Sequence, residues 1–251
     1  MNSEDLAWKL LPAPVLARAN FWGQYWFFGE WELREVAHLA QAPGLTLDVG
    51  ANAGYYSYAL KRLRKRVVSF EPDQIYQSRL RALLGSDARI EQVALSDGPG
   101  TGLMRVPHLS GAYGGTLGSL SDQAVPDKNI STSYEVELRT LDSYRFDDVS
   151  FIKIDVEGHE EAVLAGARET LERSKPVLLI EIEERHNPGG LQRITESLFE
   201  LGYSGFYFYE EKQLELSTFV GEVRQNEKNV SNSHTSRRAL DYVNNFVFKV
   251  V

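Results

Sequence analysis

The stretch TLDVGANAGYYSYAL, residues 46–60, decides the fold of this chain. A short apolar run leads to Asp48, breaks into a turn containing Gly50, Asn52 and Gly54, and continues as an aromatic-rich segment that predicts a helix. A strand, a tight glycine turn and a helix start form the unit with which α/β proteins hold nucleotide-like ligands. Glycine lets the backbone approach such a ligand closely, and the helix start offers unpaired N–H groups.

The spacing of this turn is D-x-G-x-N-x-G, which differs from the dinucleotide-binding form G-x-G-x-x-G. A turn that holds a pyrophosphate needs exposed amides and little negative charge. A carboxylate at Asp48 suits a ligand with a cationic or zwitterionic group instead. We therefore predict that Asp48, Gly50, Asn52 and Gly54 bind a cofactor, the alternative being a plain strand-to-helix turn.

The length and composition of the chain exclude several classes of function. The chain has 251 residues, a formal net charge of −8 and no cysteine. This length accommodates one large α/β domain, and the lack of cysteine excludes disulfides, thiolate catalysis and sulfur-ligated zinc. The negative charge argues against nucleic acid or an anionic membrane as a partner. Because no apolar run reaches membrane-spanning length and the first residues do not resemble a signal peptide, we expect a cytoplasmic protein.

Short β-rich runs alternate with helical stretches from residue 45 onwards. The further strands that the pattern predicts are VVSFE (67–71), RIEQVALSD (89–97), SFIKIDVEG (150–158) and PVLLIEIE (176–183). Strands separated by helices predict an α/β fold with a mostly parallel sheet and helices on both faces. The last two runs, GFYFYE (205–210) and FVFKV (246–250), predict a C-terminal antiparallel hairpin, since no clear helix separates them.

Two regions of the chain do not follow this alternation of strands and helices. Residues 1–43 predict a helical and aromatic segment packed on the main domain, 44–251, with the alternative that its aromatic residues form a pocket lid or a dimer face. Residues 98–135 are rich in glycine, serine and aspartate and predict a long irregular insertion. We expect it on the side of the domain where a second substrate, called the acceptor below, would bind. Within it, His108 and Tyr113 are candidates for contact with an acceptor.

Acidic or polar groups end five predicted strands, namely Asp48, Glu71, Asp97, Asp155 and Glu181. Ligands of such sheets lie over the carboxyl ends of the strands, so these groups are expected around one pocket. Glu71 is placed to accept the two hydroxyls of a ribose, and Ser96 with Asp97 to contact an adenine edge. A nucleoside site without a phosphate-binding device fits S-adenosylmethionine, which carries a sulfonium and an amino acid tail.

Six segments, in this order, resemble the FkbM-type S-adenosylmethionine-dependent methyltransferases: DVGANAGYYS, SFEPD, VALSDGPG, LRTLDSY, FIKIDVEGHEEAVLAGA and LLIEIE. The resemblance covers roughly residues 45–183, includes the ending NNFVFKV, and is most specific in FIKIDVEGHE with VLAGA. It implies a class I methyltransferase fold, Rossmann-like, with a seven-stranded sheet. It also implies methyl transfer from S-adenosylmethionine to a hydroxyl oxygen of a small-molecule or sugar-like, glycan-type acceptor.

The IDVEGHE block supplies the candidate catalytic residues Asp155, Glu157 and His159. A hydroxyl acceptor must lose its proton during methyl transfer, and His159 or Asp155 is the predicted proton acceptor, with Glu157 orienting one of them. The alternatives are that Asp155 holds the ammonium group of the donor, and that these residues only cap the following helix. Lys153 shares a strand face with Asp155 and either neutralises the acids or points at the acceptor.

Other interpretations stay open at this point. A divalent cation bound by Asp155, Glu157, His159 and Glu181 is not favoured, because their spacing matches no recognisable metal loop. An NAD-dependent oxidoreductase would need G-x-G-x-x-G at the first turn. A methyltransferase acting on exocyclic amines of nucleic acid bases would carry Asn or Asp before Pro-Pro-aromatic where this chain has IDVEGHE. A non-catalytic nucleoside-binding module is a further alternative. The oligomeric state is not determined, and a dimer is compatible with the sequence.

Overall fold

The computed structural model describes residues 12–28, 31–107, 118–121, 130–225 and 242–250. The candidate acceptor contacts His108 and Tyr113 lie outside these residues. Numbered along the chain, the described strands are β1 Leu45–Val49, β2 Arg66–Phe70, β3 Arg89–Glu91, β4 Ala94–Leu95, β5 Gly100–Pro107, β6 Ile130–Arg139, β7 Val149–Ile154, β8 Val177–Glu181, β9 Ser204–Tyr209, β10 Lys212–Glu215 and β11 Asn245–Lys249.

Most of the described helices connect or cover strands of the main sheet. They are α1 Ala13–Gly23, α2 Glu32–Leu39, α3 Tyr55–Arg62, α4 Gln74–Leu84, α5 Glu160–Ala165, α6 Arg168–Ser174, α7 Gly190–Glu200 and α8 Gly221–Arg224. A π-helical turn, Gln24–Phe28, extends α1. Within the part of the chain that the structure describes, no helix has the length and apolarity needed to cross a bilayer.

Eight strands form the main sheet in the order β10-β9-β11-β8-β7-β1-β2-β3. The strands β3, β2, β1, β7 and β8 are parallel neighbours, while β11 runs antiparallel to both β8 and β9. The predicted α/β fold with a mostly parallel sheet is therefore confirmed. The two C-terminal runs pair antiparallel as predicted, and β11 is inserted between β9 and β8.

The sheet has one strand more than the seven that the family resemblance implies. The additional strand is β10, which pairs with β9 through a tight turn at Glu210 and Glu211. Both residues adopt a left-handed conformation, with φ of 49° and 63°. Two-residue hairpin turns of this kind usually carry Asn-Gly or Asp-Gly, so two glutamates give no sequence signal for the turn.

A second sheet, in the order β4-β6-β5, lies beside the main one. The run RIEQVALSD, predicted as one strand, divides between the two sheets, because β3 belongs to the main sheet and β4 to the second. Both ends of the 98–135 region are regular: β5 and β6 pair antiparallel over their length, with one register shift near Pro107. The placement of this region on the acceptor side stays a prediction.

Two apolar layers cover the faces of the main sheet. One contains Ile152 and Ile180 of the sheet with Leu171 and Leu198 of the helices α6 and α7. The other contains Phe151 of the sheet and draws on α1, α2, α3 and α4. In this second layer Phe21 of α1 is 1% exposed, and its ring lies 4.7 Å from that of Tyr58 in an edge-to-face arrangement. The described part of the leading segment thus packs as a layer of the core.

We predict that Phe21→Ala lowers the free energy of unfolding by about 3–5 kcal/mol, since it removes a buried aromatic ring. Phe199→Ala is the matched control, because Phe199 of α7 is 50% exposed and its loss is expected to change stability by less than about 1 kcal/mol. Urea unfolding measures both values. Equal effects of the two variants would show that α1 is not part of the core.

Candidate functional site

The turn between β1 and α3 is shaped by two glycines in the left-handed region, Gly50 with φ 77° and Gly54 with φ 85°. A Cβ atom at Gly50 would lie 1.8 Å from the carbonyl oxygen of Asp155, and one at Gly54 would lie 2.6 Å from Cδ2 of Leu80. Asn52 between them also has a positive φ of 47°. Gly50 and Asn52 line the cleft described below, and the turn therefore forms one of its walls.

Asp48 lies beneath this turn and is 2% exposed. Its Oδ2 accepts hydrogen bonds from the backbone N–H of Ser57 at 2.8 Å and from the Ser57 hydroxyl at 2.5 Å. Burial raises the pKa of this carboxyl, and the Ser57 hydroxyl and the Lys153 ammonium oppose that rise. The Asp48 carboxylate thus ties the turn to the start of α3 from behind the cleft. Direct contact with a cofactor stays a prediction.

Glu71, directly after β2, is 6% exposed and lines the cleft. Its Oε2 accepts the backbone N–H of Asn52 at 2.7 Å, and its Oε1 accepts the backbone N–H of Asp73 at 2.8 Å. Burial raises the pKa of Glu71 to about 7, against the effect of these two hydrogen bonds. Because each carboxylate oxygen can accept more than one hydrogen bond, both remain able to receive hydroxyl donors of a ligand.

A cleft of about 700 Å³, a volume that includes open solvent at its mouth, extends along the carboxyl ends of β1, β2 and β7. Its polar wall includes Glu71, Asp155 and His159. The opposite part is apolar and consists of side chains from β2, the β3–β4 segment and the second sheet, among them Phe70, Val93, Leu95, Met104 and Leu120. An apolar slot next to a buried carboxylate matches the polarity of a nucleoside, which has a flat base and a hydroxylated ribose.

Ser96 and Asp97 follow β4. They are connected to the cleft through His159, which is one of its lining residues. The Ser96 hydroxyl lies 3.0 Å from Nε2 of His159 and donates a hydrogen bond to Oδ1 of Asp97 at 3.1 Å. Burial lowers the pKa of His159, and the charge of Asp97 opposes this effect. A lowered pKa keeps the imidazole neutral at neutral pH, which is the form that accepts a proton. The predicted contacts of Ser96 and Asp97 with an adenine stay predictions.

Lys153 is fully buried in β7, and its ammonium lies among acidic and polar side chains. Its Nζ lies 3.9 Å from Oδ2 of Asp155, 3.9 Å from Oε2 of Glu181 and 3.1 Å from Oδ1 of Asn245. The same ammonium lies 5.0 Å from the ring centre of Tyr56. Of the two roles predicted for Lys153, this geometry supports neutralisation of the acids, since a buried charge needs such partners.

Glu157 lies on the turn after β7 with a positive φ of 52°. Its Oε2 pairs with Nδ1 of His186 at 2.9 Å, and its carbonyl oxygen accepts the Ser119 hydroxyl at 2.5 Å. The side chain that this carboxylate contacts at that distance is thus His186, whereas a role in orienting Asp155 or His159 stays a prediction. Among the residues that the structure describes, no three His, Asp or Glu side chains are grouped so that they would hold a metal ion.

The family of the chain follows from comparison with known proteins. Residues 48–204, more than half of the chain, match the methyltransferase FkbM domain. The chain belongs to the FkbM methyltransferase family. This match confirms the resemblance seen in the sequence, and it begins at Asp48 and extends through the turn, the cleft and the IDVEGHE block.

Individual relatives of this FkbM-family chain are distant. The 2-O-methyltransferase NoeI of Sinorhizobium fredii (strain NBRC 101917 / NGR234) is 30% identical over 162 residues, which are 57% of this chain and 65% of that protein. The chain therefore spans slightly less than two thirds of the length of this curated relative.

Two solved structures are similar to this chain at low sequence identity. Methyltransferase FkbM from Methylobacillus flagellatus KT superposes with a TM-score of 0.50 at 17% identity, over 82% of this chain and 43% of that one. The precorrin-6y C5,15-methyltransferase of Geobacter metallireducens GS-15 has a TM-score of 0.47 at 11% identity, over 87% and 86% of the two chains. The first of these confirms the predicted class I methyltransferase fold.

Four side chains of the FkbM-family site were not singled out by sequence reasoning, namely Tyr56, His186, Asn244 and Asn245. Asn244 donates to Oε1 of Glu181 at 2.6 Å, and Asn245 accepts from Lys153. The pair begins the ending NNFVFKV, which was noted only for its resemblance to the family. Two adjacent amides before a buried strand were a usable signal. Tyr56 and His186 had no comparable signal, because their contacts depend on packing.

Glu160 provides a pH-dependent stability test beside the site. It is 2% exposed, its Oε1 accepts the Gly158 N–H at 2.8 Å, and burial raises its pKa to about 7 from 4.5. Because the folded-state pKa is the higher one, the stabilisation is complete below pH 4.5 and is lost as the pH rises through 7. We predict that Glu160→Gln removes this loss, which amounts to at most about 3 kcal/mol.

Urea unfolding of both proteins between pH 4.5 and 8 measures this difference. Glu161→Gln is the matched control, because the hydrogen bond from Arg193 lowers the pKa of Glu161. Its stabilisation is present above pH 4.5 and is lost only at lower pH, so Glu161→Gln, which retains Glu160, is expected to show the same loss of stability between pH 5 and 8 as the unsubstituted protein. Parallel pH profiles of Glu160→Gln and the unsubstituted protein would contradict the prediction.

Proposed function

We propose that this chain is an S-adenosylmethionine-dependent methyltransferase that methylates a hydroxyl oxygen of a small, polyhydroxylated, sugar-like molecule. The observation that carries the proposal is the cleft with a buried Glu71 carboxylate at one end and Asp155 and His159 at the other. Membership of the FkbM family supports methyl transfer. The name of the relative, a 2-O-methyltransferase, supports oxygen as the acceptor atom.

The residues of the cleft fit the proposed cofactor. Glu71 would hold the ribose hydroxyls, since its oxygens are fixed by the N–H groups of Asn52 and Asp73. The apolar side chains of Val93, Leu95 and Met104 would enclose the adenine. The glycine turn would face the amino acid tail, and Asp155 would lie where the sulfonium meets the acceptor hydroxyl. When bound there, S-adenosylmethionine supplies an electrophilic methyl group.

The acids around Lys153 suit an acceptor that donates hydrogen bonds. Asp155, which lines the cleft, and Glu181 each have a carboxylate oxygen 3.9 Å from the Lys153 ammonium, and the Asn244 amide donates to Glu181. Carboxylates accept from hydroxyl groups and repel polyanions, so this wall favours a neutral polyol over nucleic acid. Hydrogen bonds from hydroxyl groups to carboxylates are stronger than those to neutral acceptors, which suits these two acids to adjacent hydroxyls.

His159 is our proposed proton acceptor, and Asp155 is the proposed ligand of the reacting hydroxyl. A neutral imidazole is available because burial lowers the pKa of His159. The proton leaves the acceptor hydroxyl for the imidazole as the oxygen bonds to the methyl carbon, and the bond from that carbon to sulfur breaks. Alignment in the cleft contributes most of the acceleration, because well-oriented reactants gain about 7–11 kcal/mol, whereas a general base adds about 10²–10⁴-fold.

The overall activity is tested by incubating the protein with labelled S-adenosylmethionine and a panel of sugars and other hydroxylated compounds. Mass spectrometry of the products is expected to show addition of one methyl group to oxygen. Calorimetric titration with S-adenosylmethionine and with NAD separates the two cofactor classes. Binding of NAD in preference to S-adenosylmethionine would overturn the proposal.

Glu71→Gln is predicted to weaken binding of S-adenosylmethionine about 10–100-fold, because hydrogen bonds to a charged acceptor are lost. In the unsubstituted protein Glu71 has a pKa of about 7, and hydroxyl donors favour its ionised form. Affinity is therefore expected to rise from pH 6 to pH 8, and this rise is expected to be absent in the variant. Calorimetric titration at both pH values measures the two effects.

Glu91→Gln is the matched control for this experiment. Glu91 ends the neighbouring strand β3, and its carboxylate pairs with Arg89 at 2.8 Å at the surface. Its replacement is expected to leave both the affinity and its pH dependence unchanged. If Glu71→Gln behaved like this control, the ribose assignment of Glu71 would be wrong.

His159→Asn is predicted to lower kcat about 10²–10⁴-fold while leaving the affinity for S-adenosylmethionine within a few-fold. Asp155→Asn is predicted to act mainly on KM for the acceptor, because it removes a hydroxyl ligand. Ser96→Ala, which keeps the imidazole and deletes only its 3.0 Å hydroxyl neighbour, is expected to have a smaller effect than either. Steady-state kinetics with one acceptor compares all three, and an unchanged kcat in His159→Asn would exclude it as the base.

A further inference from the structure

The outer surface of α1 and the π-helical turn carries exposed apolar side chains. We define the aromatic face as Val15, Trp22, Trp26 and Phe27. Val15 is 49% exposed, Trp26 49% and Phe27 66%. The inner side of α1, with Phe21, belongs to the core, and Trp22 packs partly against the same layer, whereas Val15, Trp26 and Phe27 are exposed. Large apolar side chains gathered on one surface are characteristic of an interaction site.

A cationic segment adjoins the aromatic face. Residues 61–66, KRLRKR, contain five lysines and arginines and no acid. The Arg62 guanidinium lies 4.7 Å above the ring of Trp22, and the rings of Trp22 and Trp26 stack with centroids 6.4 Å apart. The two features therefore form one continuous surface.

The charge of this surface is opposite to that of the whole chain. Residues 12–28 contain one arginine, Arg18, and no acid, in a chain whose formal net charge is −8. Two acids pair with the cationic segment, since Lys61 contacts Asp87 at 3.1 Å and Arg66 contacts Asp148 at 3.5 Å. The other three cations of the segment, Arg62, Arg64 and Lys65, do not take part in these two ion pairs. The net charge that argued against a membrane partner thus conceals a local cationic region.

Part of the cationic segment has a structural task. Lys61 donates to the carbonyl oxygen of Leu84, and Lys65 donates to those of Gln41 and Ala42. These bonds fix the lysines without neutralising them, because a carbonyl carries no net charge. Leu63 between them is 40% exposed. Structural hydrogen bonding explains the position of the lysines, and the carboxyl end of α3 favours the charges of Lys61 and Arg62. Neither explains the exposed apolar groups beside the segment.

We propose that the aromatic face and residues 61–66 form a docking surface for an anionic lipid bilayer. Tryptophan partitions to the membrane–water interface, and phenylalanine, leucine and valine insert into the acyl boundary. Lysine and arginine next to such groups are attracted to anionic headgroups within about one Debye length. The chain would lie on the membrane through this surface, with the opposite helical layer, including α7, facing away.

Vesicle co-sedimentation tests this proposal with the full chain. We expect binding to vesicles of equal parts phosphatidylglycerol and phosphatidylcholine at low salt, weaker binding at several times physiological ionic strength, and little binding to phosphatidylcholine alone. The double variant Trp26→Ser with Phe27→Ser is expected to raise the lipid concentration for half-maximal binding about tenfold or more. Arg62→Glu with Arg64→Glu is expected to have a similar effect.

Matched controls come from the other side of the molecule. Phe199→Ser removes an aromatic ring that is 50% exposed on α7. Arg168→Glu with Lys212→Glu makes the same change of charge at exposed positions of α6 and β10. Both controls are expected to bind anionic vesicles like the unsubstituted protein. Circular dichroism and the unfolding transition establish that all variants are folded.

The outcomes of these experiments distinguish membrane binding by this surface from its use as a dimer interface. Anionic-lipid binding that the two face variants lose and the two controls keep supports the proposal. Absence of vesicle binding, or equal binding by face variants and controls, overturns it. It is also overturned if sedimentation equilibrium shows a dimer that Trp26→Ser with Phe27→Ser dissociates while vesicles are not bound. The lipid readout does not involve methyl transfer, so it stands or fails separately from the proposed function.

Discussion

The close crossing of two turns at the centre of the sheet is the constraint on which the site depends. The turn after β1 passes so near the turn after β7 that Gly50 has no room for a side chain above the carbonyl of Asp155. The Asp155 N–H donates to the carbonyl oxygen of Val49 at 2.9 Å and fixes this crossing. Since one turn forms a wall of the cleft and the other carries the candidate catalytic residues, their spacing is set by backbone contact and not by flexible side chains. Precise spacing of this kind is what an aligned displacement reaction needs.

Electrostatics couples the two halves of the site through one buried cation. Asp48 and Lys153 are register partners on β1 and β7, and the Lys153 ammonium opposes the rise in the Asp48 pKa. The same ammonium lies 3.9 Å from the carboxylates of Asp155 and Glu181. Isolated charges are costly to bury, so the acids and the lysine stabilise one another, and loss of the lysine would leave several acids uncompensated.

The fold was predictable from sequence because its signals are local. Strand, glycine turn and helix follow one another within residues 46–60, and apolar runs alternate with helical ones as far as β8. The β9–β10 turn was missed because Glu210 and Glu211 adopt left-handed conformations that their residue type does not predict. The run RIEQVALSD gave no sign of its division, since one apolar pattern suits a strand in either sheet.

The sequence predicted only those residues of the site that stand at the carboxyl ends of parallel strands. Parallel strands bring Glu71 and Asp155 to one edge of the sheet, and this could be inferred from their positions in the sequence. The pairing of Glu157 with His186, and of Lys153 with Asn245, joins residues 29 and 92 positions apart through loop and strand packing. Such contacts depend on three-dimensional placement, and a single sequence carries no local pattern for them.

The two ends of the main sheet have a consequence for self-association. At one end β3 has only three residues, and its Arg89 and Glu91 side chains pair with each other. At the other end β10 is four residues long and bears exposed Lys212 and Glu215. Short, charged border strands resist addition of a further strand from another molecule. The sheet is therefore closed to growth in both directions, and fibre-like stacking of copies through backbone hydrogen bonds is disfavoured.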